Sequence, residues 1–119
     1  MAGDTLLNVK ADTAEDFLDK AHKAMKDPSK LGETTYALSW KFSLDSSGKI
    51  SKATATLSTA IKRVHYAGAA QVKPDMANAD AIAQIENLNK AHEEAHRDGY
   101  NKAFAKNKPI LEKEMVGRG

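Results

Sequence analysis

Residues 36–44 read YALSWKFSL, and this stretch decides the fold. Aromatic or aliphatic side chains occupy every even position, and small or polar residues and one lysine occupy the odd ones. A period of two is typical of a strand with one apolar face. The turn sequence DSSG follows at 45–48, and residues 50–61, rich in Thr and Ala, predict a second strand. The sequence therefore predicts an antiparallel hairpin with one apolar face.

The residues before the hairpin predict one short strand and one helix. Residues 6–9, LLNV, have the composition of a strand. The pair Asp12-Thr13, followed by acidic residues, is typical of a helix N-cap. We expect this helix to end at Asp27-Pro28 and to bury one side. The side chains predicted to point inward are Phe17, Leu18, Ala21 and Met25.

A long second helix is predicted after the hairpin. Pro74 and Asp75 indicate its start, and residues 77–107 contain no proline and one glycine. The irregular connection before it covers roughly residues 66–76. We expect one stripe of this helix to pack on the apolar face of the hairpin. The predicted stripe comprises Ile82, Ile85, Leu88, His92, His96, Gly99 and Ala103.

These elements predict an α+β fold in a single domain spanning residues 1–119. A small antiparallel sheet, formed by the hairpin and the N-terminal strand, is expected to pack against the long helix. The first helix is expected to lie alongside. A chain of this length buries a modest core without disulfides or a structural metal.

The long helix contains the sequence HEEAH at residues 92–96, which satisfies the HExxH pattern of zinc hydrolases. His92 and His96 are four residues apart on a helix, so both imidazoles can reach one metal ion. Glu93 is the predicted general base, which would deprotonate a water held at that ion. The alternative is that the two histidines are hydrogen-bonded core residues without a metal.

Catalytic zinc has three protein ligands, so a third must come from elsewhere in the chain. His65 is the favoured candidate, and Tyr66 or His65 is a candidate for stabilising the oxyanion. Glu112 and Glu114 are further candidates for the ligand. Lys102 occupies the position where metzincins have their third histidine, which argues against that ligand set.

Composition excludes several other functions. The net charge of +2 is spread along the chain, so the sequence predicts no nucleic-acid partner. No stretch is apolar enough for a membrane span. The absence of cysteine excludes thiolate ligands and cysteine nucleophiles. The first four residues lack the features of a signal peptide, so the sequence indicates either a cytoplasmic protein or a mature exported form.

Three segments of the chain resemble a bacterial domain family of unknown function whose members are described as secreted zinc-dependent proteases. They are LLNVKADTAEDFLDKAHKAM at 6–25, TTYALSWKF at 34–42 and HEEAHRDG at 92–99. The last is the most specific, because that family extends HExxH with an aspartate two residues later, where this chain has Asp98. The resemblance implies a zincin-like fold, a periplasmic or secreted location and Asp98 as another candidate ligand. On a straight helix, however, Asp98 points about 200° away from His96.

The sequence thus predicts a zinc-dependent metallopeptidase with a peptide or protein substrate. Its metal ligands would be His92, His96 and His65, and its base would be Glu93. The alternative is a non-catalytic module of the same fold that binds a protein partner. The identity of the substrate and the oligomeric state stay open at this point.

Overall fold

The computed structural model describes residues 3–119, which form a three-stranded mixed sheet and two helices. In chain order the elements are β1 (Thr5–Val9), α1 (Ala14–Met25), β2 (Gly32–Leu44), β3 (Ile50–Tyr66) and α2 (Met76–Met115). The strand order is β1-β3-β2. The α+β prediction is confirmed. The prediction of an all-antiparallel sheet is wrong, because β1 joins β3 in parallel across a crossover that contains α1 and β2.

The molecule is elongated, with dimensions of 69 × 21 × 19 Å. Its radius of gyration is 20.8 Å, whereas a compact domain of this length has a value of about 13–14 Å. The long β2–β3 hairpin and the 40 residues of α2 run side by side. The main hydrophobic core lies at one end of this rod, where α1 and β1 meet the end of β3 and the start of α2. Its buried members are Val9, Ala11, Phe17, Ala21, Met25, Val64 and Ile82.

Helix α1 forms as the sequence predicts. The Thr13 side chain accepts a hydrogen bond from the backbone N–H of Asp16, which caps the helix start. Lys26 adopts a left-handed backbone with φ of 57°, which ends the helix. Of the residues predicted to point inward, Leu18 is only half-buried and the others are buried. The Phe17 ring meets Tyr66 edge to face, with 5.8 Å between ring centroids.

The hairpin turn is also confirmed. Asp45 Oδ1 accepts hydrogen bonds from the backbone N–H groups of Ser47 and Lys49, and Gly48 takes the positive φ of 83° that the turn requires. Strand β3 extends to Tyr66, five residues beyond the end that its composition predicted. This extension carries β3 into the core and lets β1 pair with it.

The predicted orientation of α2 is wrong. From Leu88 onward the predicted stripe is exposed, and Leu88 itself is 71% exposed. The helix instead turns a largely polar face toward the rest of the protein. The residues of this face that contact β1, the strands of the hairpin or their flanking residues are Ile82, Glu86, Asn89, Glu93, Arg97, Tyr100, Lys108 and Glu112.

The polar face of α2 follows from what it covers, which is the open edge of β3. Glu112 Oε2 accepts a hydrogen bond from the Ala55 N–H at 2.8 Å, and Lys108 Nζ donates to the Ala55 carbonyl at 2.6 Å. A strand edge presents unpaired backbone groups, which need polar partners. Lys108 and Glu112 flank Pro109, so their contacts hold α2 beyond its predicted end at residue 107.

The outer edge of β2 is left without a partner strand among residues 3–119. Because α2 crosses toward the β3 edge, it leaves much of the apolar face of β2 uncovered. The contacts of that face with the helix lie toward the start of β2, where Thr34 meets Glu93 and Tyr36 meets Tyr100. The exposed side chains are Tyr36, Leu38, Phe42 and Leu44, at 60%, 43%, 43% and 64%. In the part of the chain that the structure describes, neither helix has the length and apolarity needed to cross a membrane.

Candidate functional site

His92 and His96 lie on the exposed side of α2, one helical turn apart. Their Nε2 atoms are 3.1 Å apart, and the two rings are nearly perpendicular, at 87°. Two imidazole nitrogens bound to one tetrahedral zinc, each at 2.0–2.1 Å, are about 3.3 Å apart. The separation of the two Nε2 atoms is thus close to that of two histidines bound to one zinc, and it is also a hydrogen-bonding distance between the two rings. Both histidines lie outside the hydrophobic core, whereas the sequence predicted that they face it.

The pair borders a cleft between α2 and the segment that leads into β2. The cleft has a volume of about 990 Å³. Glu93, Thr34 and Tyr100 also line it. All three residues of the predicted HExxH centre thus reach the same cleft, but they approach it differently, since the histidines are exposed and Glu93 is buried.

Glu93 is 4% exposed, and its carboxylate faces β2. Thr34 Oγ1 donates a hydrogen bond to Glu93 Oε1 at 2.8 Å. Gly32 permits this close approach, because a Cβ at that position would lie 3.0 Å from Glu93 Cγ and 3.1 Å from Oε2. The missing side chain leaves space beside Oε2. Glu93 is therefore held in one orientation by the beginning of β2.

The favoured third ligand, His65, is engaged elsewhere. Its Nδ1 lies 2.9 Å from Glu86 Oε1, and the same carboxylate oxygen accepts a hydrogen bond from the Tyr66 N–H. Glu86 precedes His92 by six residues, or about 9 Å along the helix axis. Within residues 3–119 there is no group of three or more His, Asp or Glu side chains placed to hold one metal ion. The structure does not bring His65 to the His92 and His96 pair.

The other candidate ligands also lie apart from the pair. Asp98 is exposed on α2. Glu112 follows His96 by sixteen residues, about 24 Å along the axis. The Lys108 ammonium and the Ala55 N–H hold the pKa of the Glu112 carboxyl below its ordinary value. Glu114 lies a further two residues along, 3.9 Å from Arg118.

Tyr66 was a candidate for stabilising the oxyanion, but its hydroxyl donates to the Ala11 carbonyl at 3.1 Å. That interaction belongs to the core. The aromatic residue that does line the cleft is Tyr100, whose ring lies 4.8 Å from that of Tyr36. The spacing of seven residues from Glu93 to Tyr100 was the available signal, because it marks a common face of the helix.

A partly exposed ion pair holds α2 to the N-terminal strand next to this site. Arg97 bonds to Asp4, which also accepts a hydrogen bond from the Ile61 N–H. The Ile61 N–H and the Arg97 guanidinium together hold the pKa of the Asp4 carboxyl below its ordinary value. Arg97 follows Glu93 by one turn, so this contact fixes the rotation of α2 about its axis. The rotation in turn determines that Glu93 faces β2 and that the histidines face outward.

The chain was also compared with known proteins. It matches no known protein-family model, no curated protein and no solved structure.

Proposed function

We propose that the protein binds one zinc ion through His92 and His96 and uses it to hydrolyse peptide bonds. The observation that carries the proposal is the convergence of the two Nε2 atoms, 3.1 Å apart, at the border of an open cleft. Neutral imidazole nitrogen is a common zinc ligand. The HExxH pattern and the resemblance to a zincin-like family support the same assignment.

The two imidazole nitrogens are suitable ligands for zinc, but a catalytic site needs one more protein ligand. A catalytic zinc site has three protein ligands and keeps one position open. His92 and His96 supply two of the three. The described residues supply no third, so the proposal requires either a rearrangement of a nearby carboxylate or a ligand from outside the chain.

Glu93 is the proposed base. Zinc would supply the acidification of a water molecule and the polarisation of the scissile carbonyl. Glu93 would take the proton from the water and deliver it to the leaving amine. Thr34 would orient the carboxylate through Oε1.

A second candidate function is a non-catalytic module that binds a protein partner. The burial of Glu93 and its bond to Thr34 favour this alternative, since they are also what a purely structural glutamate would show. In this case the histidine pair would bind a metal ion that takes no part in catalysis.

Calorimetric titration of the metal-free protein with zinc tests the proposal. We expect one ion per chain, and we expect His92→Ala and His96→Ala each to weaken binding by ten-fold or more, about 1.4 kcal/mol. His22→Ala is the matched control, because His22 is a half-buried histidine on α1. Lack of zinc binding at micromolar concentrations would contradict the proposal.

Activity separates the two functions. Zinc-loaded protein should cleave members of a fluorogenic peptide library, and Glu93→Gln should retain zinc while losing cleavage. Zinc binding without cleavage of any peptide would favour the binding module. Equal cleavage by Glu93→Gln would remove Glu93 from the mechanism.

A further inference from the structure

The two long edges of the sheet are treated differently. Side chains of α2 cover the edge of β3 at Ala55, and the C-terminal segment continues this cover, since Ile50 exchanges backbone hydrogen bonds with Gly117 and Arg118 at 2.8 Å. Within residues 3–119, no strand pairs with the outer edge of the 13-residue strand β2. A long apolar strand edge that is open in one chain pairs readily with another strand.

The ladder determines which backbone groups of β2 are free. The N–H groups of Ile61 and Ala55 in β3 point away from β2, toward Asp4 and Glu112. Residues directly opposite each other in an antiparallel ladder share one hydrogen-bonding state. The residues of β2 opposite these two are Thr34 and Trp40. The even-numbered residues of β2 therefore direct their N–H and C=O groups to the open edge.

The charges of β2 are complementary to those of a second β2. The strand GETTYALSWKFSL carries two charged residues, Glu33 and Lys41. Each is four residues from Ala37. Antiparallel pairing of two β2 strands about Ala37 therefore places Glu33 of each copy opposite Lys41 of the other. Both charge pairs form at once, because the arrangement is two-fold symmetric.

We propose that two copies of this chain form a dimer through the outer edges of β2, with Ala37 on the two-fold axis. The even-numbered residues then form the hydrogen-bonded pairs, such as Tyr36 with Leu38 of the other copy. The two sheets join into one sheet of six strands. The exposed apolar side chains of the two β2 strands become neighbours on one face, which removes part of their surface from water.

Disulfide trapping tests the position of the axis, because the chain contains no cysteine of its own. Ala37 faces its own counterpart in a non-hydrogen-bonded pair, where the Cα atoms are about 4.5 Å apart. This separation lies within the range of a disulfide. Ala37→Cys should therefore cross-link into a dimer under mild oxidation. The side chain of Ala37 is exposed, so the substitution leaves the fold intact.

Ser39→Cys is the matched control on the same strand and the same face. In the proposed register the two Ser39 Cα atoms are four residues apart along the strands, about 13 Å, which is too far for a disulfide. Cross-linking of Ser39→Cys as readily as Ala37→Cys would overturn the proposed register.

A charge-exchange cycle tests the pairing itself, by sedimentation of the metal-free protein. Glu33→Lys and Lys41→Glu should each weaken the dimer about ten-fold, because each places like charges opposite one another at two symmetric positions. The double substitution should restore the wild-type dissociation constant. Lys49→Glu makes the same charge change in the turn and should leave the dimer unaffected. Circular dichroism of each variant checks that it is folded.

The expected result for the wild type is a species of twice the 12.9 kDa chain mass. A wild-type chain that sediments as a monomer at tens of micromolar would overturn the proposal. So would a double substitution that fails to restore association. Metal-free conditions make this result independent of the zinc site.

Discussion

Thr34 and Glu93 join β2 to α2 through a hydrogen bond of 2.8 Å between Oγ1 and Oε1. This bond gives the parts of the HEEAH sequence different surroundings, because it turns Glu93 toward the sheet and leaves the neighbouring histidines on the exposed flank of the helix. Any function of Glu93 as a base therefore depends on a residue 59 positions away in the chain.

The bond should contribute to stability as well as orientation. Glu93→Ala removes the side-chain acceptor of the half-buried Thr34 hydroxyl, and a hydrogen bond of this kind contributes about 0.5–1.5 kcal/mol. Glu93→Gln preserves an acceptor oxygen and should cost less. Urea denaturation of both variants measures the difference. Equal stability of Glu93→Ala and the wild type would show that the bond contributes nothing in solution.

A substitution at Gly32 tests how closely α2 packs against β2. Gly32→Ala would place a Cβ 3.0 Å from both Asn89 Oδ1 and Glu93 Cγ, so these side chains must move by a few tenths of an ångström. We expect a loss of about 1–3 kcal/mol in the free energy of unfolding. Gly99→Ala is the control, since among residues 3–119 no atom beyond the adjacent backbone of α2 lies within 4 Å of its added Cβ. This change in an exposed helix should stabilise the protein by about 0.5–1 kcal/mol.

The contacts of Glu112 should make the stability of the folded protein depend on pH in the acidic range. Its pKa is lowered from the ordinary 4.5 in the folded protein by Lys108 and the Ala55 N–H. Unfolding releases these contacts, so the carboxylate stabilises the fold above pH 4.5, and this contribution is lost as the pH falls through the lower folded-state value. Thermal unfolding followed from neutral pH to about pH 3 should show this decline.

Glu112→Gln should reduce the slope of the unfolding midpoint against pH in the acidic range. Glu114→Gln removes an equal charge near the same end of α2, where the carboxylate is 70% exposed and 3.9 Å from Arg118. It should leave the slope near that of the wild type. An unchanged slope in Glu112→Gln would show that its contacts with Lys108 and Ala55 are absent in solution.

The position of His65 leads to a prediction about zinc. His65 contacts Glu86 and does not lie beside His92 and His96. His65→Ala should therefore leave the zinc dissociation constant within about two-fold of the wild-type value. Asp98→Ala should behave in the same way. A ten-fold weakening in His65→Ala, measured by calorimetry, would instead place His65 among the ligands.

Most of the secondary structure was predictable because its causes are local. The alternation in residues 36–44 produces β2, Thr13 caps α1, and Asp45 with Gly48 forms the turn. Each depends on residues within a few positions along the chain. The convergence of His92 and His96 is of the same kind, since a spacing of four on a helix places two rings on one side.

The face that α2 presents to the sheet was not predictable in this way. Its apolar residues suggested one face, but the helix packs against a strand edge, where Ala55 requires a charged donor and a charged acceptor. Hydrophobic periodicity identifies a buried face only when the covered surface is itself apolar. The polar residues Asn89, Glu93 and Arg97 therefore lie on the packed face, although the predicted stripe did not include them.

The sequence by itself determined the order and type of the elements and the proximity of the two histidines, although β3 runs five residues and α2 eight residues beyond the predicted ends. Tertiary structure alone decided the parallel pairing of β1, the rotation of α2 and the separation of His65 from the histidine pair. The physical reason is the range of the interactions. Capping, alternation and helical spacing act within one element, whereas the unpaired N–H and C=O groups at the edge of β3 acquire their partners only when distant segments meet.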